Sequence, residues 1–269
     1  MAISSLFLFP SQTSLFVTLM SIINMLSLIT AGYMELSGKN KQYAKFFDAN
    51  ISTNSRDDAD TKLSSRNGML VFYTPSFLIA LVSFIVFTRQ DLRFSMIVYV
   101  LIIHFLKRIL EVLFVHNFSG SMMLDAAKTI GLSYSISTAT MIYAQYLCQE
   151  CPDQPYVDLK YIGLGLFLIG VTGNFYHHNI LSNLRKKGSK DYKIPKGGLF
   201  ELVICPHYFF EIVEFIGVFC ISQTTFTLCF TVGTMFLLIG RSHATRKWYV
   251  TKFGSKFSKD VKAIIPYVF

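Results

Sequence analysis

Seven stretches of the chain are apolar over a length that fits a membrane span, and polar segments separate them. They run roughly over 11–33, 69–88, 95–115, 126–147, 158–180, 200–221 and 224–241. Each is close to the ~20 residues that a helix needs to cross a hydrocarbon core of about 30 Å. The fourth is rich in Ala, Ser and Thr, and only a short Ser-Gln-Thr-Thr turn separates the last two. No internal repeat and no linker between folded units interrupts the pattern. It predicts an all-α, polytopic integral membrane protein, seven transmembrane helices folded as a single membrane domain over 1–269. Pro75, near the start of the second span, predicts a kink or an interrupted first turn. The run Lys193-Ile194-Pro195-Lys196-Gly197-Gly198 predicts a tight turn leading into the sixth.

Composition supports the same class. Of 269 residues 52% are hydrophobic and 15% charged, against about a quarter charged in a soluble domain. The basic residues also test the topology. The 34–68 loop carries Lys39, Lys41, Lys45, Arg56, Lys62 and Arg66; the loop after the second span carries Arg89 and Arg93; the next carries Lys107, Arg108 and Lys128. The fourth has Lys160 alone beside Glu150, Asp153 and Asp158, the fifth has six (Arg185, Lys186, Lys187, Lys190, Lys193, Lys196), the sixth has none, and the C-terminal tail is basic again. Basic-rich and basic-poor loops alternate as seven spans with a lumenal N-terminus and a cytoplasmic C-terminus require. The net charge of +9 thus follows from topology, and no nucleic-acid partner is needed to explain it; membrane lipids are the expected surroundings. Without a basic n-region or cleavage site, the first span reads as a retained anchor. Cys148 and Cys151 form one CxxC, best read as a structural pair or two inert thiols. Cys205, Cys220 and Cys229 sit in apolar surroundings and most simply pack there. The Asp57-Asp58-Ala59-Asp60 run is read as a solvated face.

Ionisable residues inside the apolar stretches point to chemistry. His207, Glu211 and Glu214 stand at i, i+4 and i+7, within about 60° of one another on a helix. Charge in a span is costly and usually faces a functional cavity. Three more stripes accompany this one: Asn174, His178 and Arg185; His104, Arg108 and Glu111; and Arg241, Thr245 and Tyr249. All lie at the ends of spans assigned to the cytoplasmic side, so they can line one cavity open to the cytoplasm. Arg forks match phosphate geometry, while carboxylates and amides suit ribose hydroxyls and a carboxamide. The residues themselves therefore predict an intramembrane cavity for an anionic, hydrogen-bonding ligand. His177-His178 with His207 lack a third carboxylate or thiol at a diagnostic spacing, and no metal is expected. Gly163, Gly165 and Gly170 have the wrong spacing for a dinucleotide fingerprint and are read as packing glycines. His104 alone reads as a helix-packing histidine.

A set of ordered motifs carries a resemblance: Gly173-Asn174; Leu184-Arg185-Lys186-Lys187-Gly188; Tyr192-Lys193-Ile194-Pro195-Lys196-Gly197-Gly198-Leu199-Phe200; Glu211-Ile212-Val213-Glu214; Lys247-Trp248-Tyr249; and Lys262-Ala263-Ile264-Ile265-Pro266-Tyr267-Val268-Phe269. With these, the region from about 69 to 269 resembles the steroid 5α-reductase family, which includes the trans-2-enoyl-CoA reductases. The resemblance implies a seven-span enzyme of the endoplasmic reticulum membrane with NADPH as cofactor. It implies hydride transfer to the β-carbon of a C=C bond conjugated with a carbonyl, followed by protonation at the α-carbon. Arg108, Asn174, Arg185, Glu211, Glu214, Arg241 and Tyr249 match positions that line the NADPH site in family members. His207 stands where an Asn is usual, His178 where steroid reductases have Asp, and Arg246 where many members have His. On the substrate side Tyr73 replaces a Glu and Phe105 a Tyr, the two groups that hold the steroid ketone. Lys107 and Tyr208 match residues proposed as catalytic in the enoyl-CoA branch, and the stretch Lys107–Ser119 looks closer to that branch.

The expectation is an NADPH-dependent oxidoreductase that reduces a carbonyl-conjugated double bond of a hydrophobic lipid, first a 3-oxo-Δ4 steroid, with a very-long-chain trans-2-enoyl-CoA as the alternative and a non-catalytic membrane protein as a further one. The catalytic candidates are Tyr73, Lys107 and Tyr208. Along the chain, 1–68 holds the first anchor span and a polar cytoplasmic loop, 69–147 the substrate-side spans, and 148–269 the NADPH-binding region.

Overall fold

A computed structural model describes residues 6–9, 14–38, 62–87, 91–118, 120–149, 151, 153–184 and 192–269. Among them are seven long helices: α1 (Leu15–Leu36), α2 (Ser65–Val86), α3 (Leu92–Leu110), α4 (Leu124–Cys148), α5 (Lys160–Asn183), α6 (Pro206–Ser222) and α7 (Thr225–Phe253). A short antiparallel pair, β1 (Lys62–Ser64) with β2 (Ser121–Met123), clamps the starts of α2 and α4 together. Each helix falls on one of the expected apolar stretches. Three of them, Leu15–Leu36, Ser65–Val86 and Thr225–Lys256, are long and apolar enough to cross a membrane.

Local chemistry sets the helix starts. The side chains of Ser14, Ser64, Asp91 and Thr224 each accept a hydrogen bond from the backbone N–H three residues on, satisfying a donor that the first turn leaves orphaned. Pro206 opens α6, where its missing N–H costs nothing. Gln223 closes α6 in the left-handed conformation, with φ of 52°. Helix α2 runs through Pro75. That proline cannot bond to the carbonyl of Val71, and Gly131 of α4 packs there: a Cβ on Gly131 would lie 2.6 Å from Val71 O.

The outer faces carry many exposed apolar side chains, and on α1 the buried face is polar or small, the reverse of a helix in a soluble bundle. Along α1 the buried positions are Val17, Ser21, Asn24, Gly32 and Glu35, while Leu15, Phe16, Ile23 and Leu26 are more than half exposed. Without a hydrophobic drive between helices in lipid, close approach and interhelical hydrogen bonds take over. Helix α1 lies against α7 where Gly32 meets Gly240, and α5 lies against α6 where Gly163 and Gly170 meet Gly217 and the backbone of Glu214. Gly165, expected to pack likewise, faces open space. Cys148 and Cys151 are free thiols.

The seventh helix continues twelve residues past its expected end at 241, to Phe253. Beyond it the chain folds back. Ile204 and Cys205 donate to the carbonyls of Lys262 and Ala263, and Arg246 donates to the carbonyls of Val261 and Lys259 at 2.7 and 2.8 Å. A small core of Ile204, Cys205, Tyr249 and Phe257 forms there, separate from the main core centred on α2, α3, α4 and α6.

Candidate active site

The last turn of α3 is the centre of a buried charge network. Arg108 donates from Nη2 to the Tyr73 hydroxyl at 2.7 Å and from Nη1 to Glu111 Oε2 at 3.0 Å. The same Nη1 lies 3.2 Å from Nδ1 of His178, and the guanidinium stands 4.9 Å from the Tyr73 ring centroid. Glu111 is 1% exposed. Its Oε1 meets Lys107 Nζ and His178 Nδ1, both at 3.0 Å. A carboxylate this deep needs such compensation: two cations and a histidine supply it. Glu111 opens a π-helical turn, Glu111–Val115, which shifts the register so that His116 faces the same network, 4.0 Å from Glu111 Oε2. Burial, with the Arg108 charge nearby, pushes the pKa of His116 down to about 4, so this loop histidine is neutral at neutral pH.

Helix α5 adds Asn174 and His178. The Asn174 side chain donates to the carbonyl of His207 at 2.8 Å and to Glu211 Oε2 at 3.5 Å, and accepts from Lys107 Nζ. This reach across helices depends on the glycine-lined contact of α5 with α6. His177, its neighbour, turns elsewhere: Nδ1 lies 2.7 Å from Gly173 O, and Nε2 accepts from the Leu199 N–H at 3.1 Å, pinning the turn before α6. On α6, the rings of His207 and Tyr208 stand 4.3 Å apart, and His207 lies 5.3 Å from His178. Glu214, 1% exposed, meets Nδ1 of His104 at 2.5 Å. On α7, Arg241 pairs at 2.7 Å with Glu35 of α1, both buried.

These groups surround two cavities. The larger, about 330 Å³, has Tyr73, Arg108, His178, His207, Arg241 and Tyr249 in its wall, with Tyr208, His116, Thr245, Tyr192 and Lys193 beside them. That is within the range of small-molecule and cofactor sites, about 300–1,000 Å³. The smaller, about 20 Å³, shares Tyr73 and Arg108 with the first and is otherwise walled by His104, Glu211 and mostly apolar side chains such as Phe105, Tyr134 and Phe230.

Among the sequence-expected site residues, Tyr73, Arg108, His178, His207, Tyr208, Arg241 and Tyr249 thus converge on the larger cavity, and Glu211 on the smaller. Lys107, Asn174 and Glu214 line neither, but bond to residues of this network. Arg185 lies outside the described residues, as do the Asp57–Asp60 run and most of the lysines around both. Sequence reasoning missed Glu35, a lone acid two residues past the expected end of the first span; it placed Glu111 in a cavity-lining stripe without naming it a site residue, and gave His116 no role. The donor atoms of Glu111, His116 and His178 lie within 4.8 Å of one another, close enough for a cation by geometry. Both carboxylate oxygens of Glu111 already meet Lys107 and Arg108, and the cluster stands as an ion-pair network.

A sequence model of the family described as 3-oxo-5-alpha-steroid 4-dehydrogenase matches residues 121–269. Steroid 5-alpha-reductase DET2 of Gossypium hirsutum is 42% identical over 107 residues, 40% of this chain and 42% of its own. Very-long-chain enoyl-CoA reductase of Dictyostelium discoideum is 34% identical over 173 residues, 62% of this chain and 55% of its own. The human 3-oxo-5-alpha-steroid 4-dehydrogenase 1 is 39% identical over 131 residues, 48% of this chain and 50% of its own. The chain spans about half the length of these relatives.

Proposed function

The chain belongs to the 3-oxo-5-alpha-steroid 4-dehydrogenase family, and from that premise we propose that it is an NADPH-dependent oxidoreductase that reduces a carbonyl-conjugated C=C bond of a lipid. The first substrate class is a 3-oxo-Δ4 steroid. The longer match to an enoyl-CoA reductase, over 173 residues, favours a very-long-chain trans-2-enoyl-CoA as the second.

One observation carries the reading. Helices α2, α3, α5, α6 and α7 bring Tyr73, Arg108, His178, His207, Arg241 and Tyr249 to one cavity of about 330 Å³, and a second, mainly apolar cavity adjoins it at Tyr73 and Arg108. The donor set fits a phosphorylated dinucleotide. Arg241 and Arg108, with Arg185, are the phosphate-binding cations; Lys193 stands in the same wall. His207, Asn174 and Glu211 meet at the α5–α6 contact and offer the amide, carbonyl and carboxylate that a carboxamide and ribose require. His178 and Tyr249 complete this set, whereas Glu214, expected with them, bonds to His104 instead. NADPH, when bound, supplies a hydride. The protein's part is to hold the enone, exclude water and place a donor at the carbonyl. Tyr73 faces both cavities and its phenol is fixed by Arg108; Tyr208 faces the larger. Lys107, bonded to Asn174 and Glu111, acts as a buried positioning charge.

The apolar outer faces support a multi-pass membrane protein, and we assign all seven helices as spans. The N-terminus is lumenal, the C-terminus cytoplasmic, and the larger cavity opens to the cytoplasm in the endoplasmic reticulum membrane. Residues 69–147 form the substrate side and 148–269 carry most of the cofactor contacts. The test is NADPH oxidation by purified protein with progesterone and with trans-2-hexadecenoyl-CoA. Turnover of one is expected, and turnover of the enoyl-CoA alone moves the substrate assignment. NADPH binding without turnover of either sinks the enzymatic reading in favour of a non-catalytic relative. Glu211→Gln should weaken NADPH binding; unchanged affinity removes Glu211 from the site.

A further inference from the structure

His104 and Glu214 form a buried pair that the cofactor reading leaves without a task. They sit on different helices, α3 and α6, and their facing atoms, Nδ1 and Oε1, are 2.5 Å apart. Glu214 is 1% exposed and His104 6%. Gly170 packs against the Glu214 backbone from the α5 side. Glu214 lines neither cavity, whereas His104 lines the smaller one. With Nδ1 turned to Glu214, the nitrogen presented on the cavity side is Nε2. Phe105 and Phe215 hold the ring edge-on and tilted, at 4.9 and 5.2 Å.

The other polar groups of the smaller cavity already have work. Ser137 accepts from Asn24 at 2.6 Å, and Thr138 donates to the carbonyl of Tyr134. Arg108 is shared among Tyr73, Glu111 and His178, and Glu211 faces Asn174. His104 combines a transferable proton with a buried carboxylate behind it, the arrangement by which a third group orients a histidine acid or base. About 20 Å³ is room for one water-sized group, enough for a single atom group of a substrate but not for its body.

Given the double-bond reduction proposed above, we propose that His104 is the proton donor of that reaction and that Glu214 is its positioning residue. The donating form carries two protons on the pair, one between Nδ1 and Oε1 and one on Nε2, and is neutral overall. NADPH, if bound, would supply the hydride for the β-carbon of the enone, the π electrons of the C=C bond shifting toward the carbonyl. The Nε2–H bond of His104 then breaks as a new C–H bond forms at the α-carbon. The pair is left with one negative charge, offset by Arg108 in the same wall, until a solvent proton restores it.

The experiment measures purified full-length protein with NADPH and either progesterone or trans-2-hexadecenoyl-CoA. His104→Asn should lower kcat by about 100-fold or more, the range for loss of a general acid. KM should stay within a few-fold and NADPH affinity, read by fluorescence titration, should not change. Glu214→Gln should lower kcat about tenfold and enlarge the solvent deuterium isotope effect, while Glu214→Asp recovers part of kcat. A His104→Asn protein that binds NADPH normally and keeps its kcat overturns the assignment. Should His104→Asn fail to fold, Glu214→Gln decides by the same criteria. Wild-type protein that turns over neither enone sinks the double-bond reading itself, and the assignment to His104 goes with it.

Discussion

Helix α3 carries a buried arginine near its start and a partly buried one near its end, and the two do opposite things. Arg93 and Arg108 are separated by fifteen residues, about 22 Å of helix. Arg93 donates to the carbonyl of Ile221, to Gln223 Oε1 and to Asp158 Oδ1, at 2.7, 2.9 and 2.7 Å. Gln223 in turn donates to the carbonyls of Phe7 and Val157 and accepts from the N–H of Leu159. That end ties the N-terminal segment, the approach to α5 and the α6–α7 turn into one knot, and its hydrogen bonds close on the protein itself. Arg108 is as well bonded, but its partners Tyr73 and His178 stand in the wall of a cavity of about 330 Å³. A buried arginine is therefore no mark of a site. Room for a ligand beside it is.

The largest effect tests the open end. Arg241 and Glu35 are both about 5% exposed, and removing one partner of a buried pair costs about 3–5 kcal/mol because the other charge is left alone. Arg241→Met should lower the melting temperature sharply in detergent and also weaken NADPH binding. Glu35→Met together with Arg241→Met should recover most of the stability and none of the affinity. A double variant that regains affinity would mean that Arg241 only holds α1 to α7, and the open end would then be another knot.

The matching change at the closed end is smaller. Arg93→Met removes three hydrogen bonds, but Asp158 is 41% exposed and regains water, so the loss is about 2–4 kcal/mol. NADPH affinity of the folded fraction should not move. If it falls as it does for Arg241→Met, the two ends are coupled through α3 and the contrast between them is lost.

These contrasts were only partly readable in the sequence. The helices were, because runs near twenty apolar residues leave few alternatives. The stripes were, because side chains at i, i+4 and i+7 share a face whatever surrounds them: Arg108, His178, His207 and Tyr249 meet as their spacing suggests. What spacing along one helix cannot give is the partner on another. Glu214 was placed in the stripe facing the cofactor, yet it bonds to His104; Arg93 was counted as a loop charge, yet it is buried in a helix; Glu35 went unnoticed, yet it pairs with Arg241 across 206 positions. The α7 extension to Phe253 was hidden by the basic residues after 241, which read as a tail but sit in helical conformation above a small core of their own.

The smallest predicted effect probes how the α5–α6 contact holds the open end together, through two glycines two residues apart and so on opposite sides of α5. Gly163 lies where a Cβ would stand 2.6 Å from the Gly217 carbonyl and 2.7 Å from the Ile221 nitrogen; around Gly165 there is nothing within 4 Å. Backbone cannot yield as a flexible side chain can, so Gly163→Ala should push α5 from α6 and cost about 1–3 kcal/mol. Because Asn174 reaches His207 and Glu211 across the same pair of helices, NADPH affinity should fall with it. Gly165→Ala meets no obstacle and replaces the more flexible residue inside a helix, which is worth about 0.5–1 kcal/mol in its favour. Thermal melts and NADPH titrations of the two variants side by side give the comparison. Equal behaviour would show that the contact at Gly163 has slack, and that the spacing of Asn174 from α6 is set nearer Gly170 and Gly173, which pack on Glu214 and Phe210.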